Sequence, residues 1–305
     1  MYDILFFCSN LVISFAKGLI LGSSVLVVSL ACDHILSPNS TRVIIKENSS
    51  LYDMAIIKNV QNLLVISPII YSFIDNSLLK HNISFSVTHY FGLLLTHNIL
   101  YWFGHREIHR NKFLYIRIHK FHHLFDKLLT PSIGNAVSNI EFILLYVSPF
   151  CIGALFFKPN EITFLFSIAT ISILNMIIHT SEFKDVNWFP LMVSPKNHHD
   201  HHLERDCHYA APLLNIDEIQ KSISLIPSLT EPENEIVDYT NQKNPNDEYT
   251  YKQYSHSGYN PNYEYHEMLS FTPENDISDV SVNELQKRME TSIDWSLISD
   301  SEYDN

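Results

Sequence analysis

The sequence predicts an all-α, polytopic integral membrane protein with about four to five membrane helices and a histidine-rich helical cap. Three observations predict this class: long apolar stretches, a four-residue connection between the last two of them, and histidines at helical spacing. The 305 residues carry a formal net charge of −13, but residues 221–305 alone hold 17 acidic and 5 basic side chains. Residues 1–220 hold 16 and 15, so this first part is nearly neutral.

The composition excludes two classes of protein. A net-acidic chain with no basic stripe is unsuited to binding nucleic acid. The four cysteines are scattered and form no Cys-x-x-Cys motif, which argues against a disulfide scaffold and a zinc ribbon. The feature that stands out is the content of 17 histidines.

The first element is an apolar stretch over residues 4–32 that contains one charged side chain, Lys17. Its length exceeds the roughly 20 residues needed to cross a bilayer. A cleaved signal peptide is the alternative, but the chain starts Met-Tyr-Asp without a basic segment, and the apolar stretch is longer than a usual signal core. We therefore expect a membrane segment here.

Further apolar stretches predict the remaining membrane segments, and they cover residues 60–74, 83–103, 140–157 and 162–178. Only four residues separate the last two, so these form an antiparallel hairpin whose ends emerge on one side. The block after Phe103 carries the densest cluster of Lys and Arg, which the positive-inside rule places in the cytosol. The histidine-rich segments 105–123 and 179–208 can therefore converge on this face.

These stretches divide the chain into an N-terminal part of membrane segments and a polar loop (1–82), a central region (83–220) and an acidic tail (221–305). The tail combines low hydrophobicity with excess acid, which is typical of disorder. Ser281 and Glu284 have the spacing of a helix-capping pair, with apolar residues following at helical intervals. The tail is accordingly either a solvated segment or a short amphipathic helix that binds a protein partner.

Histidines in the central region form three clusters at helical spacing. The first is a His-x3-His pair, and the other two are His-x2-His-His patterns, in each of which positions i, i+3 and i+4 share a helix face. The clusters are His105 and His109; His119, His122 and His123; and His198, His201 and His202, with His199 in the same run and His179 alone before it.

A single His-x3-His pair arises by chance on many helices, but three ordered clusters beside a membrane indicate metal binding. A site of imidazoles without thiolate suits Fe, Zn, Cu or Ni. One catalytic zinc needs only three protein ligands, whereas the number of histidines here suits two ions. Such a dinuclear centre can activate O2, and a position at the membrane face gives access to the C–H bonds of lipids.

The order of these motifs resembles a known family. The segment Trp102-Phe-Gly-His105-Arg-Glu-Ile-His109, followed by Leu114-Tyr115, His119-Lys-Phe-His122-His123 and Pro131, is similar to the signature of the fatty acid hydroxylase/sterol desaturase superfamily. The run His199-Asp-His-His202 with Tyr209-Ala210 resembles its last motif, and His179 matches the isolated histidine before it. The resemblance covers residues 83–220.

The resemblance implies a membrane-bound non-haem di-iron enzyme of lipid metabolism, usually in the endoplasmic reticulum, with O2 as co-substrate. Electrons would come from NAD(P)H through cytochrome b5 and its reductase or an equivalent donor; no His-Pro-Gly-Gly motif of a fused b5 module is present. The implied metal ligands are His105, His109, His119, His122, His123, His179, His198, His201 and His202. Extra ligands or outer partners are His199, Asn175, His208 and Glu141.

The expected reaction is the hydroxylation or desaturation of a membrane lipid, with sterols and fatty acyl chains both open as substrates. One alternative is a non-catalytic descendant of the family that binds metal or acts as a membrane scaffold, with the acidic tail recruiting partners. A metal transporter is disfavoured, because the histidines cluster in polar segments on one face and not within the apolar stretches.

Overall fold

The structure is a computed structural model that describes residues 2–82, 84–126 and 128–224, with side chains from residue 9 onward. The predictions for the acidic tail lie outside these residues. Within the described ranges the backbone forms helices and no β-strand. The helices are α1 (Tyr2–Ile35), α2 (Pro38–Glu47), α3 (Ser49–Ser77), α4 (Val87–Arg110), α5 (Lys112–Leu114), α6 (Pro131–Gly134), α7 (Asn139–Phe157), α8 (Glu161–Ile178), α9 (Pro195–Glu204) and α10 (Ile216–Ser224).

Several helices change their winding along their length. Helix α3 contains a π-helical turn at Gln61–Ile66, and α7 contains one at Phe142–Val147. Helix α5 continues directly into a π-helical turn at Tyr115–His119. Short 3-10 helices occupy His122–Leu124 and Ser181–Phe183. Such π-helical turns often mark functional positions within helices.

The expectation of a helical membrane protein is confirmed. Four segments in the described part of the chain are long and apolar enough to cross a membrane: Ser9–Ile35 of α1, Ser49–Ser77, Asn139–Phe157 and Glu161–Ile178. Their outward faces carry large exposed apolar side chains, which is the expected surface of a helix that contacts lipid. The apolar stretch predicted over residues 83–103 corresponds to α4, which is less apolar than these four.

Helix α4 nevertheless runs through the same layer as α8. At its start, the backbone N–H of Ser86 donates to the hydroxyl of Thr163 at 2.9 Å, in the first turn of α8. Its other end carries His105, whose ring lies 4.6 Å from that of His119. The ring of His122 lies 5.3 Å from both His119 and His179, and so connects this end of α4 to the residue immediately after α8. One face of α4 is an exposed apolar stripe with a spacing of four residues, made of Val87, Phe91, Leu95, Ile99 and Phe103.

The opposite face of α4 is buried and polar. It carries His97, Asn98, Tyr101 and His105, whose side chains face the other helices. The amide oxygen of Asn98 accepts hydrogen bonds from the backbone of Leu213 at 3.1 Å and of the next residue at 3.0 Å. Helix α4 is thus the fifth helix of the bundle, with lipid on its apolar side.

Residues 111–126, 128–138 and 179–224 form a cap at one end of the five-helix bundle. Buried polar contacts fix the cap to the bundle. The carboxylate of Asp33, near the end of α1, accepts from the backbone N–H of Ser132 at 2.8 Å and from the hydroxyl of Tyr52 at 2.9 Å. The amide of Asn59 donates to the carbonyl of Ser132 at 2.7 Å. Helices α1 and α3 therefore support the same short segment of the cap.

A charged network lies at the opposite end of the bundle. The ammonium of Lys17 in α1 lies 3.3 Å from the carboxylate of Asp75 in α3 and 2.9 Å from that of Glu161 at the start of α8. The hydroxyl of Tyr71 donates to Glu161 at 2.8 Å. Ionisable groups within membrane helices are costly unless they are paired, so this network ties three helices together at the end distant from the cap.

Helices α1 and α3 approach each other closely at Gly22. A Cβ atom at this position would lie 1.9 Å from the carbonyl oxygen of Leu63. No side chain fits such a distance, so glycine is required for the observed contact. Close backbone approach at small residues is typical of helix pairs in membranes, where dispersion contacts replace the hydrophobic effect.

Candidate metal centre

Nine histidines of the cap and of the adjacent helix ends converge in two groups. Within each group, one ring nitrogen of every member lies within 4.8 Å of those of the others. The larger group consists of His105, His109, His119, His123 and His201, and the smaller of His122, His179, His198 and His202. These are the nine residues that the sequence identified as metal ligands; the structure brings them together, and their role as ligands stays a prediction.

Helix α4 supplies His105 and His109, one turn apart on the face that points into the cap. After Arg110 the helix ends, and the side chain of Asn111 accepts from the backbone N–H groups of Phe113 and Leu114. These hydrogen bonds satisfy the first turn of α5, so that a new helix starts in a different direction. The chain therefore turns back and carries the second histidine cluster towards the first.

The second histidine cluster does not form one helix face. The π-helical turn ends at His119, and His122 begins a 3-10 helix. His119 and His123 join the larger group, whereas His122 joins the smaller one. The expectation that these three imidazoles share one α-helical face is therefore wrong in detail: the cluster divides between both groups.

Helix α9 supplies the third cluster and also divides it. Its first turn is fixed by Pro195 at the first position and by the side chain of Ser194, which accepts from the backbone N–H of Asn197. His201 joins the larger group, and His198 and His202, one turn apart, join the smaller. The two groups therefore lie side by side across a single helix.

The distances between ring nitrogens fit a cation bound between them. The Nδ1 atom of His105 contacts the carbonyl oxygen of Tyr209 at 2.8 Å, and the Nδ1 atom of His119 contacts the carboxyl group of Glu141 at 2.7 Å. The carbonyl oxygen only accepts, so Nδ1 of His105 carries the proton and its Nε2 is a bare acceptor; with Glu141 ionised, the same holds for His119. Yet the two Nε2 atoms lie 2.9 Å apart.

Two bare acceptors at this distance repel unless a cation lies between them. Metal–imidazole bonds are about 2.0–2.1 Å long, so two nitrogens at right angles around one ion lie about 3.0 Å apart. The other close contacts agree: His119 to His123 at 3.0 Å, His109 to His123 at 3.2 Å, and His179 to His198 at 2.8 Å, all between Nε2 atoms. The residues therefore fit a bound metal in each group.

Oxygen atoms orient several of these rings from outside. The Nδ1 atom of His201 donates to the carbonyl of Cys207 at 2.7 Å, and that of His179 donates to the carbonyl of Asn175 at 2.7 Å. With the corresponding contacts of His105 and His119, these hydrogen bonds direct the Nε2 atoms of four rings towards the centres of the two groups. Such outer partners fix the ring tautomer and increase the basicity of a metal ligand.

The groups are excluded from water, which keeps the rings neutral. Burial lowers the pKa of His179 to about 3, and burial together with neighbouring imidazoles holds the pKa of His123 and His201 well below the usual range. A neutral imidazole offers a lone pair to a metal, whereas a protonated one does not. The electrostatics of the site thus favour the metal-binding form of each ring.

The four additional predicted residues have different positions. The side chain of Glu141 contacts His119 from outside, as described above. Asn175 donates from its side chain to the amide oxygen of Asn135 at 3.0 Å, and only its backbone oxygen contacts a histidine. His199 is buried but belongs to neither group, and His208 contacts Asn197 at 3.2 Å.

Sequence reasoning missed the carbonyl partners and the small residue that packs on His179. Backbone oxygens leave no signature in a sequence, so nothing pointed to Cys207 or Tyr209 as partners. A Cβ atom on Gly134 would lie 2.2 Å from Cγ of His179, so glycine is required beside this ring. His97 was also missed; the available signal was a titratable side chain inside an apolar stretch.

Comparison with known proteins supports the resemblance. Residues 90–222 match the family model described as fatty acid hydroxylase, which confirms the similarity seen in the histidine motifs. The matched range begins within α4 and ends within α10, so it contains both histidine groups. No curated protein and no solved structure matches the chain.

Proposed function

We propose, from the fatty acid hydroxylase match of residues 90–222 and the two histidine groups, that this protein is a membrane-bound di-iron oxidoreductase. It would use O2 and electrons from NAD(P)H to hydroxylate or desaturate a membrane lipid, either a sterol or a fatty acyl chain. The observation that carries the proposal is the contact of 2.9 Å between the Nε2 atoms of His105 and His119, since two ligand nitrogens of one metal ion lie at this distance.

Each group would hold one ion. The first ion would be bound by the five histidines of the larger group and the second by the four of the smaller group. Iron held in this way would supply the O2-activating chemistry, because oxidants derived from O2 are strong enough to attack an unactivated C–H bond. Imidazole ligands suit iron as well as zinc, copper or nickel, so the family match is the argument for iron.

The residues around the ligands position and protect the centre. Glu141 and the three carbonyl oxygens hold the rings with their Nε2 atoms inward. The carboxyl group of Glu141 also contacts Nδ1 of His119, and an outer hydrogen bond of this kind increases the electron donation of the ring. The complete burial of the smaller group excludes water, which would otherwise react with an activated centre.

The location and the electron donor belong to the same proposal. The exposed side chains of Lys112 and Lys120 place basic groups on the cap, which supports a cytosolic cap by the positive-inside rule. We place the protein in the endoplasmic reticulum with cytochrome b5 and its reductase, or an equivalent donor, as its partner. A donor that reduces the centre would dock on the cap, since both groups lie there.

Adjacent histidines provide the experimental test. His122 and His123 are sequence neighbours but belong to different groups, so each single substitution to Ala should remove about one of two irons per chain. Metal would be measured on purified protein, and lipid extracts would be compared with and without expression in the presence of NADPH and O2. His199→Ala is the matched control, because this buried histidine of α9 belongs to neither group.

Loss of one iron in each variant, together with loss of an NADPH-dependent lipid product, is the expected result. Metal binding without any turnover would instead identify the alternative, a non-catalytic metal-binding or scaffolding descendant of the family. Wild-type protein that retains no metal would contradict both the proposed enzyme and the metal-binding alternative.

A further inference from the structure

A cavity of about 110 Å³ lies between α1, α3, α4, α7 and α8. Its walls are mostly apolar and include Leu63, Ile70, Phe142, Phe150, Phe164 and Ile171. The lining residues of α8 extend from Phe164 to Asn175, which is three helical turns, or roughly 16 Å. The small volume and the long wall describe a narrow cavity that follows the direction of the helices.

His97 is a polar group in this apolar wall. Its side chain is 1% exposed, and neither of its ring nitrogens has a hydrogen-bond partner among the described residues. The ring lies against Phe150, with the ring centroids 4.7 Å apart. A buried imidazole without partners is unfavourable, and a titratable residue inside a membrane helix indicates a functional position. A ligand in the cavity would supply the missing partner.

The other end of the cavity reaches the metal centre. Asn175 and Asn135 line this end, and the backbone carbonyl of Asn175 holds the ring of His179. The amide nitrogen of Asn135 is buried and has no partner among the described residues. His97 lies against Phe150, which packs on Phe164, whereas Asn135 accepts a hydrogen bond from Asn175. Phe164 and Asn175 are eleven residues apart on α8, so the two unpartnered groups lie roughly 16 Å apart along the cavity.

We propose that this cavity binds a long-chain lipid at two points, with its polar head beside Asn135 and a mid-chain hydroxyl group on His97. A neutral imidazole has one donor and one acceptor, and a hydroxyl group complements either. An extended chain advances about 1.2 Å per bond, so the hydroxyl lies roughly thirteen bonds from the head, close to the position of a 12-hydroxyl group. The inference rests on the proposed function in taking a lipid as the substrate, and it names His97 as the residue that selects it.

Binding tests the inference independently of turnover. Full-length protein in detergent, without reductant, would be titrated with 12-hydroxystearate, stearate and 2-hydroxystearate in competition with radiolabelled stearate. Wild-type protein is expected to bind 12-hydroxystearate roughly three- to tenfold more tightly than stearate, the effect of one hydrogen bond. The 2-hydroxy isomer should bind with about the affinity of stearate, because its hydroxyl group lies beside the head and does not reach His97.

Three variants assign the preference to His97. His97→Phe should abolish it by replacing the imidazole with an apolar ring, and His97→Gln should retain part of it, because the amide still donates and accepts. His89→Phe is the matched control: this histidine lies on the same helix but outside the cavity, near Phe157. Bound metal and the melting temperature, measured for each variant, separate a loss of selectivity from a loss of folding.

Equal affinity of wild-type protein for stearate and 12-hydroxystearate would overturn the inference and would mean that water alone solvates His97. A preference that survives in His97→Phe would also overturn it. Turnover of other lipids by a protein without this preference would leave the proposed function intact. Conversely, a clear preference in a protein that lacks metal and activity would support the cavity assignment and contradict the proposed function.

Discussion

Replacing Gly134 with Ala should remove one metal ligand without changing any ligand residue. Gly134 is the last residue of α6, and its backbone packs directly on the ring of His179. An added Cβ would lie 2.2 Å from Cγ, 2.5 Å from Cβ and 2.6 Å from Nδ1 of this histidine. All three distances are far below van der Waals contact, so the ring must move.

The size of the movement follows from these distances. Ordinary contact begins at 3.4 Å, so the ring has to shift by about 1.2 Å. The hydrogen bond from Nδ1 to the carbonyl of Asn175, at 2.7 Å, would then exceed the length of a good hydrogen bond. Overpacking of this kind costs about 1–3 kcal/mol in the free energy of unfolding. Metal affinity of the smaller group should fall by about 10–100-fold or more, as when an outer partner is lost.

The assay is the metal content of purified protein after dialysis against a chelator of graded strength. Gly134→Ala is expected to keep the metal of the larger group and lose that of the smaller group, so that about one ion remains of two. Gly153→Ala is the control, because its Cβ would come within 3.0 Å of the flexible end of Leu93 and would meet Thr96 at 3.6 Å, an ordinary contact distance. A folded Gly134→Ala protein that keeps both ions as tightly as the wild type would refute the packing described here.

Three further changes probe other parts of the structure. Glu141→Gln replaces the carboxyl group that contacts His119 from outside the larger group and should weaken metal binding there by about 10–100-fold, measured by chelator competition. Lys17→Met leaves Asp75 buried without its cation; because Lys17 is itself 37% exposed, we expect a loss of only about 1–2 kcal/mol, measured by thermal unfolding in detergent. If the cap is cytosolic, the sequon at Asn82 faces the opposite side and should be glycosylated, whereas Asn48 should not, measured by a mobility shift after glycosidase treatment.

Each of these has its own control and its own contrary result. Glu107→Gln removes a carboxylate from the exposed surface of α4 and should leave metal binding unchanged; an equal loss in both variants would count against a specific role of Glu141. Lys58→Met removes a lysine of α3 outside the charged network. A loss of stability in this variant as large as in Lys17→Met would show that the network has no specific stabilising effect. Glycosylation at Asn48 would show that the orientation in the membrane is the opposite of the one proposed.

The sequence was sufficient to find the nine histidines but not to divide them. Helical spacing places His119, His122 and His123 on one face, but it does not say which of two neighbouring groups each ring joins. His122 is separated from His119 and His123, and the regular helix α9 separates His201 from His198 and His202 in the same way. This division depends on which rings the tertiary packing brings together, so no local pattern encodes it. The carbonyl partners cannot be predicted for a different reason: every residue has a backbone carbonyl group, so the sequence does not show which of them contacts a histidine.

Mean hydropathy does not identify α4 as a membrane helix. Hydropathy averages over all sides of a helix, and α4 has two different sides. Its outer side is apolar at every fourth residue from Val87 to Phe103, which is sufficient for contact with lipid. Its inner side carries His97, Asn98 and His105, which line the cavity, hold the cap and join the larger histidine group.

The polar residues that lower the mean hydropathy of α4 are therefore the residues that serve the site. A membrane helix that contributes to a buried polar centre will generally be the least apolar of its bundle, because its inner side contacts protein and not lipid. Helix α4 counts as a crossing because of the contacts at both of its ends and not because of the average: it begins beside the first turn of α8 and ends in the larger histidine group of the cap. With α4 counted as a fifth crossing beside the four long apolar segments, the loop with Asn82 lies on the side opposite the cap, which is the arrangement that glycosylation at Asn82 tests.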